Sequence, residues 1–133
     1  MIKKSLRVQV FKSADFSSYT KDIHRSIRNL KYIRCNDEVS SIIVEDGTIA
    51  RFYRGAHYAA CSFEVVGPAK VSDLQMLNCG CGNVNAKGWD NEISSIRLYP
   101  NADNRKPGIY GDFRQPQKSY PYNEDMYQMN TRL

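Results

Sequence analysis

The chain is written twice over, and that duplication limits its fold more than any bulk property does. Residues 8–23, VQVFKSADFSSYTKDI, lie over residues 50–65, ARFYRGAHYAACSFEV, at a constant offset of 42. Phe11 then matches Tyr53, Phe16 matches Tyr58, Lys12 matches Arg54 and Asp22 matches Glu64. Further on, two hexads share one pattern at an offset of 54: Asn36-Asp37-Glu38-Val39-Ser40-Ser41 and Asp90-Asn91-Glu92-Ile93-Ser94-Ser95. The second copy therefore carries 12 extra residues, in the Cys/Gly/Asn stretch around Leu77–Trp89.

The segments around these motifs have strand character. Val8 and Val10 alternate with Arg7 and Gln9, the period-two pattern of a half-buried strand. Residues 12–18 read as its turn and Tyr19–Ile23 as the returning strand. Ile23, Ile27 and Leu30 at i, i+4 and i+7 predict a helical turn over Asp22–Leu30. Ser41–Val44 is a strand closed by Glu45-Asp46-Gly47, a strong turn signal. Ile49–Tyr53 and Cys61–Val66 form a second hairpin, broken by Gly67-Pro68, and Ser94–Tyr99 ends at Pro100. About eight short strands in two Greek-key motifs imply an all-β sandwich.

Asp, Asn and Ser side chains supply hard oxygen ligands of the kind calcium accepts, and loop carbonyls fill remaining positions. The order of parts here, an aromatic, four residues, an aromatic, then downstream N/D-N/D-x-x-S/T-S, resembles the βγ-crystallin family. Phe11…Phe16 and Tyr53…Tyr58 fit the aromatic spacing, and both hexads fit the second half. The resemblance covers roughly residues 6–99 as a two-motif domain, with motifs over about 6–48 and 49–99 in a domain of residues 1–100.

What the resemblance implies is a pair of calcium sites built where the hexads cross. Asp37 and Asn91 would donate side-chain oxygens, and Ser40 and Ser94 hydroxyls to the opposite site. The backbone carbonyls of Glu38, Glu92, Lys12 and Arg54 would complete the shell, while Asn36 and Asp90 would shape the loops by bonding to their backbone. The reading from residue type alone is an Asx-turn leading into a strand, with serine capping free backbone groups. The chain departs from the family at one point: its glycine is Ser18 in the first motif and Ala60 in the second. A glycine there permits positive φ, so serine and alanine imply a strained or altered corner.

The net charge of +5 is uneven. Residues 1–34 hold nine Lys/Arg against Asp15 and Asp22, a basic edge that reads first as a solvated face. No aromatic-basic interleaving accompanies it, which argues against nucleic acid. No apolar run reaches membrane-spanning length, and no apolar segment of a signal peptide follows the basic start. Cys35, Cys61, Cys79 and Cys81 lack zinc-knuckle spacing and read equally as buried thiols or as disulfides. No G-x-S-x-G, P-loop or H-E-x-x-H is present, so no catalytic constellation competes.

From Asn101 the composition changes. Residues 101–133 hold four of the nine Tyr and three of the five Pro, and aliphatic residues nearly vanish. Such a segment cannot build its own core. Tyr and Met enrichment is an interface signature. It is expected to be an extended arm docking on another protein subunit, with Tyr110, Phe113, Tyr120, Tyr122 and Tyr127 as anchors; the alternative is an arm folded back on its own domain. The expected function is a non-enzymatic, calcium-binding structural module of a larger assembly such as a coat, sheath or virion surface, placed outside the cell or on a particle. The alternative is a secreted binding, inhibitor or toxin-like module that uses the 77–89 loop and its Trp89.

Overall fold

The computed structural model describes residues 5–77, Trp89, residues 91–111 and, as backbone, residues 127–129. Asp90, Phe113, Tyr120, Tyr122 and the side chain of Tyr127 lie outside the described residues. Among the described residues, nine antiparallel strands form two sheets. In the first, β1 (Val8–Phe11) lies between β2 (Tyr19–Ile23) and β3 (Ser41–Val44), and β6 (Ala69–Val71) and β9 (Tyr127–Met129) follow beyond β3. In the second, the order is β7 (Ser95–Pro100), β4 (Thr48–Gly55), β5 (Ala59–Val66), β8 (Gly108–Tyr110).

The sequence duplication is a structural duplication. β1 and β2 of the first motif correspond to β4 and β5 of the second, and β3 corresponds to β7. Each motif lends its third strand to the other's sheet. In the second motif that strand is β6, which pairs with β3 through Ile42↔Val71. In the first it shrinks to the single bridge Ile27↔Ile96. This exchange welds the halves, since neither sheet is complete without the other motif.

The same bridge corrects the helical turn expected over Asp22–Leu30. Ile23, Ile27 and Leu30 are all buried, but Ile23 ends β2, Ile27 stands on the isolated bridge, and Leu30 opens the 3-10 helix. A short 3-10 helix follows at Leu30–Ile33, capped by the Asn29 side chain accepting from the Lys31 amide at 3.0 Å. Three apolar residues at helical spacing also satisfy an irregular crossing that dips into the core three times, and the backbone bonds of Ile27 to Ile96 decide between the two.

The core lies between the sheets, with equivalent residues facing each other. Val8 and Val10 correspond to Ala50 and Phe52, and Ile42 and Val44 to Ile96 and Leu98; all are buried. Leu30 and Leu74 plug the ends, and Cys35 stands where the second motif has Trp89, each wholly buried. Trp89 packs edge-on against Phe63 at 4.7 Å and lies under the Arg54 guanidinium at 4.5 Å. Where β5 turns toward β6, a Cβ on Gly67 would collide with the carbonyl oxygens of Val44 and Glu45, so only glycine fits.

Two strands come from the segment expected to be a docking arm, and both join this chain's own sheets. β8 pairs with β5 through Val65↔Ile109, and β9 pairs with β6 through Lys70↔Gln128. β5 and β6 otherwise present a row of unpaired backbone groups, and a tethered strand satisfies them without needing a core of its own. Tyr110, expected as a partner anchor, engages its own chain. Its hydroxyl donates to the Lys106 carbonyl at 2.9 Å and Arg105 covers its ring at 4.6 Å. The sheets thus continue past Pro100, the expected end of the domain.

Candidate metal centre

Each hexad leads into a strand, β3 in the first motif and β7 in the second, and the first follows closely on the 3-10 helix at Leu30–Ile33. The two loops cross with near-exact reciprocity. The Asp37 amide donates to the Ile93 carbonyl at 3.0 Å, and the Asn91 amide donates to the Val39 carbonyl at 3.0 Å. Both residues are left-handed, with φ of 56° and 57°, a conformation that Asp and Asn tolerate better than other non-glycine residues. Val39 and Ile93, fully buried, nail each loop to the core.

The crossing brings ligands of opposite hexads together. Ser94 Oγ donates to Asp37 Oδ1 at 3.0 Å, from residues 57 apart in sequence. Ser40 and Ser94 are both buried, and their amides donate to the Phe11 and Tyr53 carbonyls, each at 2.8 Å. This ties each hexad to the strand aromatic just before Lys12 and Arg54, whose carbonyls belong to the expected ligand set. At the rim, Lys12 Nζ meets Glu38 Oε1 at 3.2 Å, so the Glu38 side chain is engaged outside the crossing. The amides of Glu38 and Glu92 close equivalent turns onto the Cys35 and Trp89 carbonyls.

One expected role differs. Asn36 Nδ2 donates to Asp37 Oδ2 at 3.0 Å, not to backbone. The αL turn at Asp37 puts its carboxylate beside the preceding side chain, and a charged acceptor outcompetes a carbonyl. Both Asp37 oxygens are therefore oriented, one by Asn36 and one by Ser94. Among the described residues no three His, Cys, Asp or Glu side chains cluster. The donor set is instead carboxylate, amide, hydroxyl and carbonyl oxygen, all hard ligands suited to calcium and poor for zinc or copper.

The last serine of each hexad bonds to backbone, as its residue type suggests, and its partners lie in the turn of its own hairpin. Ser41 Oγ accepts from the Phe16 amide at 3.1 Å and donates to the Ser13 carbonyl at 2.6 Å. Ser95 Oγ does the same for the Tyr58 amide and the Gly55 carbonyl, at 3.1 and 2.6 Å. Each pins the turn of its own hairpin, where the aromatic pairs Phe11–Phe16 and Tyr53–Tyr58 meet edge-on at 5.8 and 5.7 Å. The pinned turns run through left-handed residues: Asp15, Phe16 and Ser18 in one, His57, Tyr58 and Ala60 in the other. Ser18 and Ala60, at φ of 53° and 68°, hold the glycine conformation with side chains in place.

The cysteines divide between the two expected states. Cys35 is a buried free thiol, and burial pushes its pKa up to about 11. Cys61, on β5, is disulfide-bonded to a cysteine outside the described residues. His24 and His57 are exposed and distant from the hexads in sequence.

No protein-family model and no curated protein matches the chain. Solved structures do. A βγ-crystallin from an archaeon is similar at 27% identity and a TM-score of 0.57, over 72% of this chain and all of that one. A βγ-crystallin from Ciona intestinalis matches at 24% identity and 0.56, over 70% of this chain and 99% of that one. Protein S complexed with calcium matches at 23% and 0.50, over 71% of this chain and 49% of that one. The two Greek-key motifs, their exchanged third strands and their paired aromatic corners make this chain a βγ-crystallin domain in fold.

Proposed function

We propose that this βγ-crystallin domain is a non-enzymatic calcium-binding structural module. The observation that carries the reading is the crossing of the hexads, which sets Asp37 of one motif against Ser94 of the other at hydrogen-bond distance. Asn91 and Ser40 hold the equivalent positions of a second site. When bound, calcium would supply a cross-link between the two motifs. Asp37, Asn91, Ser40 and Ser94 would hold it, with backbone oxygen of the hexads and of Lys12 and Arg54, while Asn36 orients the Asp37 carboxylate. With one formal charge at most among the ligating side chains of each site, affinity falls toward the weaker part of the calcium range, which suits a calcium-rich setting outside the cell. Isothermal titration of the full chain with calcium should give two sites; heat of dilution alone at millimolar calcium would overturn the reading.

The assembly role is proposed on composition. The tail between β8 and β9, with Tyr120 and Tyr122, remains the segment with interface chemistry. The second reading, a secreted binder using the 77–89 loop, gains from the Cys61 disulfide, a mark of oxidising surroundings. It loses its expected contact residue, because Trp89 is wholly buried. Trp89 anchors that loop instead, through its amide to the Leu74 carbonyl at 3.0 Å.

A further inference from the structure

A second site lies away from the hexads, where the first motif's third strand shrinks to the Ile27–Ile96 bridge. The segment Arg25–Arg28, the 3-10 helix at Leu30–Ile33 and the β4–β5 turn enclose an open cleft of about 350 Å³. Its floor is fixed: Ile27 bonds to Ile96 in both directions, the His57 amide donates to the Arg28 carbonyl at 2.6 Å, and Ser26 Oγ accepts from the Leu98 amide at 2.9 Å. The size falls within the range of small-molecule sites.

The lining has one chemical character. Arg25 and Arg28 bring two guanidiniums, Tyr32 and Tyr58 two rings, and no acid lines the cleft. Neither guanidinium is ion-paired or hydrogen-bonded within the described residues, whereas Arg7, Arg51 and Arg105 all pair with carboxylates. The Tyr58 ring is clamped, with Arg97 over it at 4.1 Å and Tyr53 edge-on at 5.7 Å. The Tyr32 ring is 67% exposed, against the usual tendency to bury such a ring. A held aromatic wall, an exposed second ring and two uncommitted forks match a planar or sugar ring bearing an oxyanion.

We propose that this cleft binds a phosphate or sulfate monoester carried on a ring, the guanidiniums taking the oxyanion and Tyr32 the ring face. No hexad side chain lines the cleft. Binding is measured by isothermal titration of the full chain with phenyl phosphate, phenyl sulfate, glucose 6-phosphate and inorganic phosphate at one ionic strength. At least one ring monoester should bind about tenfold tighter than inorganic phosphate, and the comparison among them tells aryl from sugar and phosphate from sulfate. Arg25→Gln with Arg28→Gln should abolish that binding, and Tyr32→Ala should erase the preference over inorganic phosphate. Both changes sit on exposed side chains, so the melting temperature checks that the fold is kept. Lys21→Gln with Lys106→Gln, which removes two exposed charges elsewhere, should leave binding unchanged. Equal affinity for all four probes, or equal loss in the lysine variant, would show a diffuse basic face and overturn the proposal.

Discussion

Asp37→Asn separates the charge of the proposed metal site from its geometry. Asn tolerates the left-handed φ of 56° at this position, and its amide oxygen can still accept from Ser94 Oγ. The partner Asn36 can turn its own amide to face the new one, so the calcium-free domain should change by no more than about 0.5 kcal/mol. With calcium at a hundred times its dissociation constant, each site stabilises the fold by about 2.7 kcal/mol. If loss of the formal charge weakens one site tenfold, about 1.4 kcal/mol of that disappears. For a domain of this size that is a fall in melting temperature of roughly 5 °C or more, seen with calcium and absent in chelator. Asn91→Asp is the mirror experiment and should enlarge the calcium increment, since it gives the second site the charge it lacks. Thermal unfolding by circular dichroism reads all four conditions. An identical calcium increment in the parent and both variants would refute the assignment of Asp37 and Asn91 as ligands.

Ala60→Gly should stabilise by about 0.5–1 kcal/mol, because relief of the left-handed alanine exceeds glycine's entropy cost; Ser18→Gly should gain less, as it also loses the 3.2 Å contact with Ser13, and urea midpoints give both values. Ser95→Ala and Ser41→Ala should each cost about 1–3 kcal/mol by stranding a buried amide and carbonyl, with similar losses in the same assay if the motifs are truly equivalent. Native Cys35 keeps its proton up to about pH 11 while an unfolded thiol loses it near 9, so the unfolded chain binds fewer protons between these values. Stability should therefore fall across pH 9 to 11, by on the order of 2 kcal/mol from this group, and Cys35→Ala should flatten the slope of midpoint against pH. Removing residues 112–133 should leave β8 and a folded domain; light scattering that shows the full chain and the truncated chain with the same mass would count against assembly through the tail.

The parts of this molecule legible in the sequence are those the duplication writes twice. The aromatic corners, the hexads and the strands they lead into all follow from aligning the chain with itself, while the left-handed turns at Ser18 and Ala60 are implied by the family resemblance. Where the copies diverge, the reading falters. Ile23, Ile27 and Leu30 suggested a helical turn because their true equivalent, β6, bears no resemblance to them in pattern. The strands β8 and β9 were hidden because edge strands are recruited by unpaired backbone, which leaves little trace in side chains. Their equivalents do not exist in the first motif. That hexad serines bond to backbone was legible from residue type, but which backbone groups Ser41 and Ser95 pin emerges only from the fold.

That divergence also explains why the two proposed sites differ in kind. The hexad crossing is symmetric: each loop needs the other's carbonyl for its own left-handed turn, so drift in one is resisted by both. The third strands are under no such mutual constraint. In the second motif Ala69–Val71 runs as a full strand beside β3, and its Lys70 reaches the Phe16 ring at 5.7 Å. In the first motif only Ile27 pairs, and the chain on either side is free of the ladder. Arg25 and Arg28 flank that bridge and are exposed, and Tyr32, on the 3-10 helix, is exposed and lines the same cleft as Tyr58. Restoring strand pairing there would bring the flanking chain back against β7 and close the cleft. A duplicated fold thus keeps its shared site by reciprocity and gains a private one where a copy has let its ladder go.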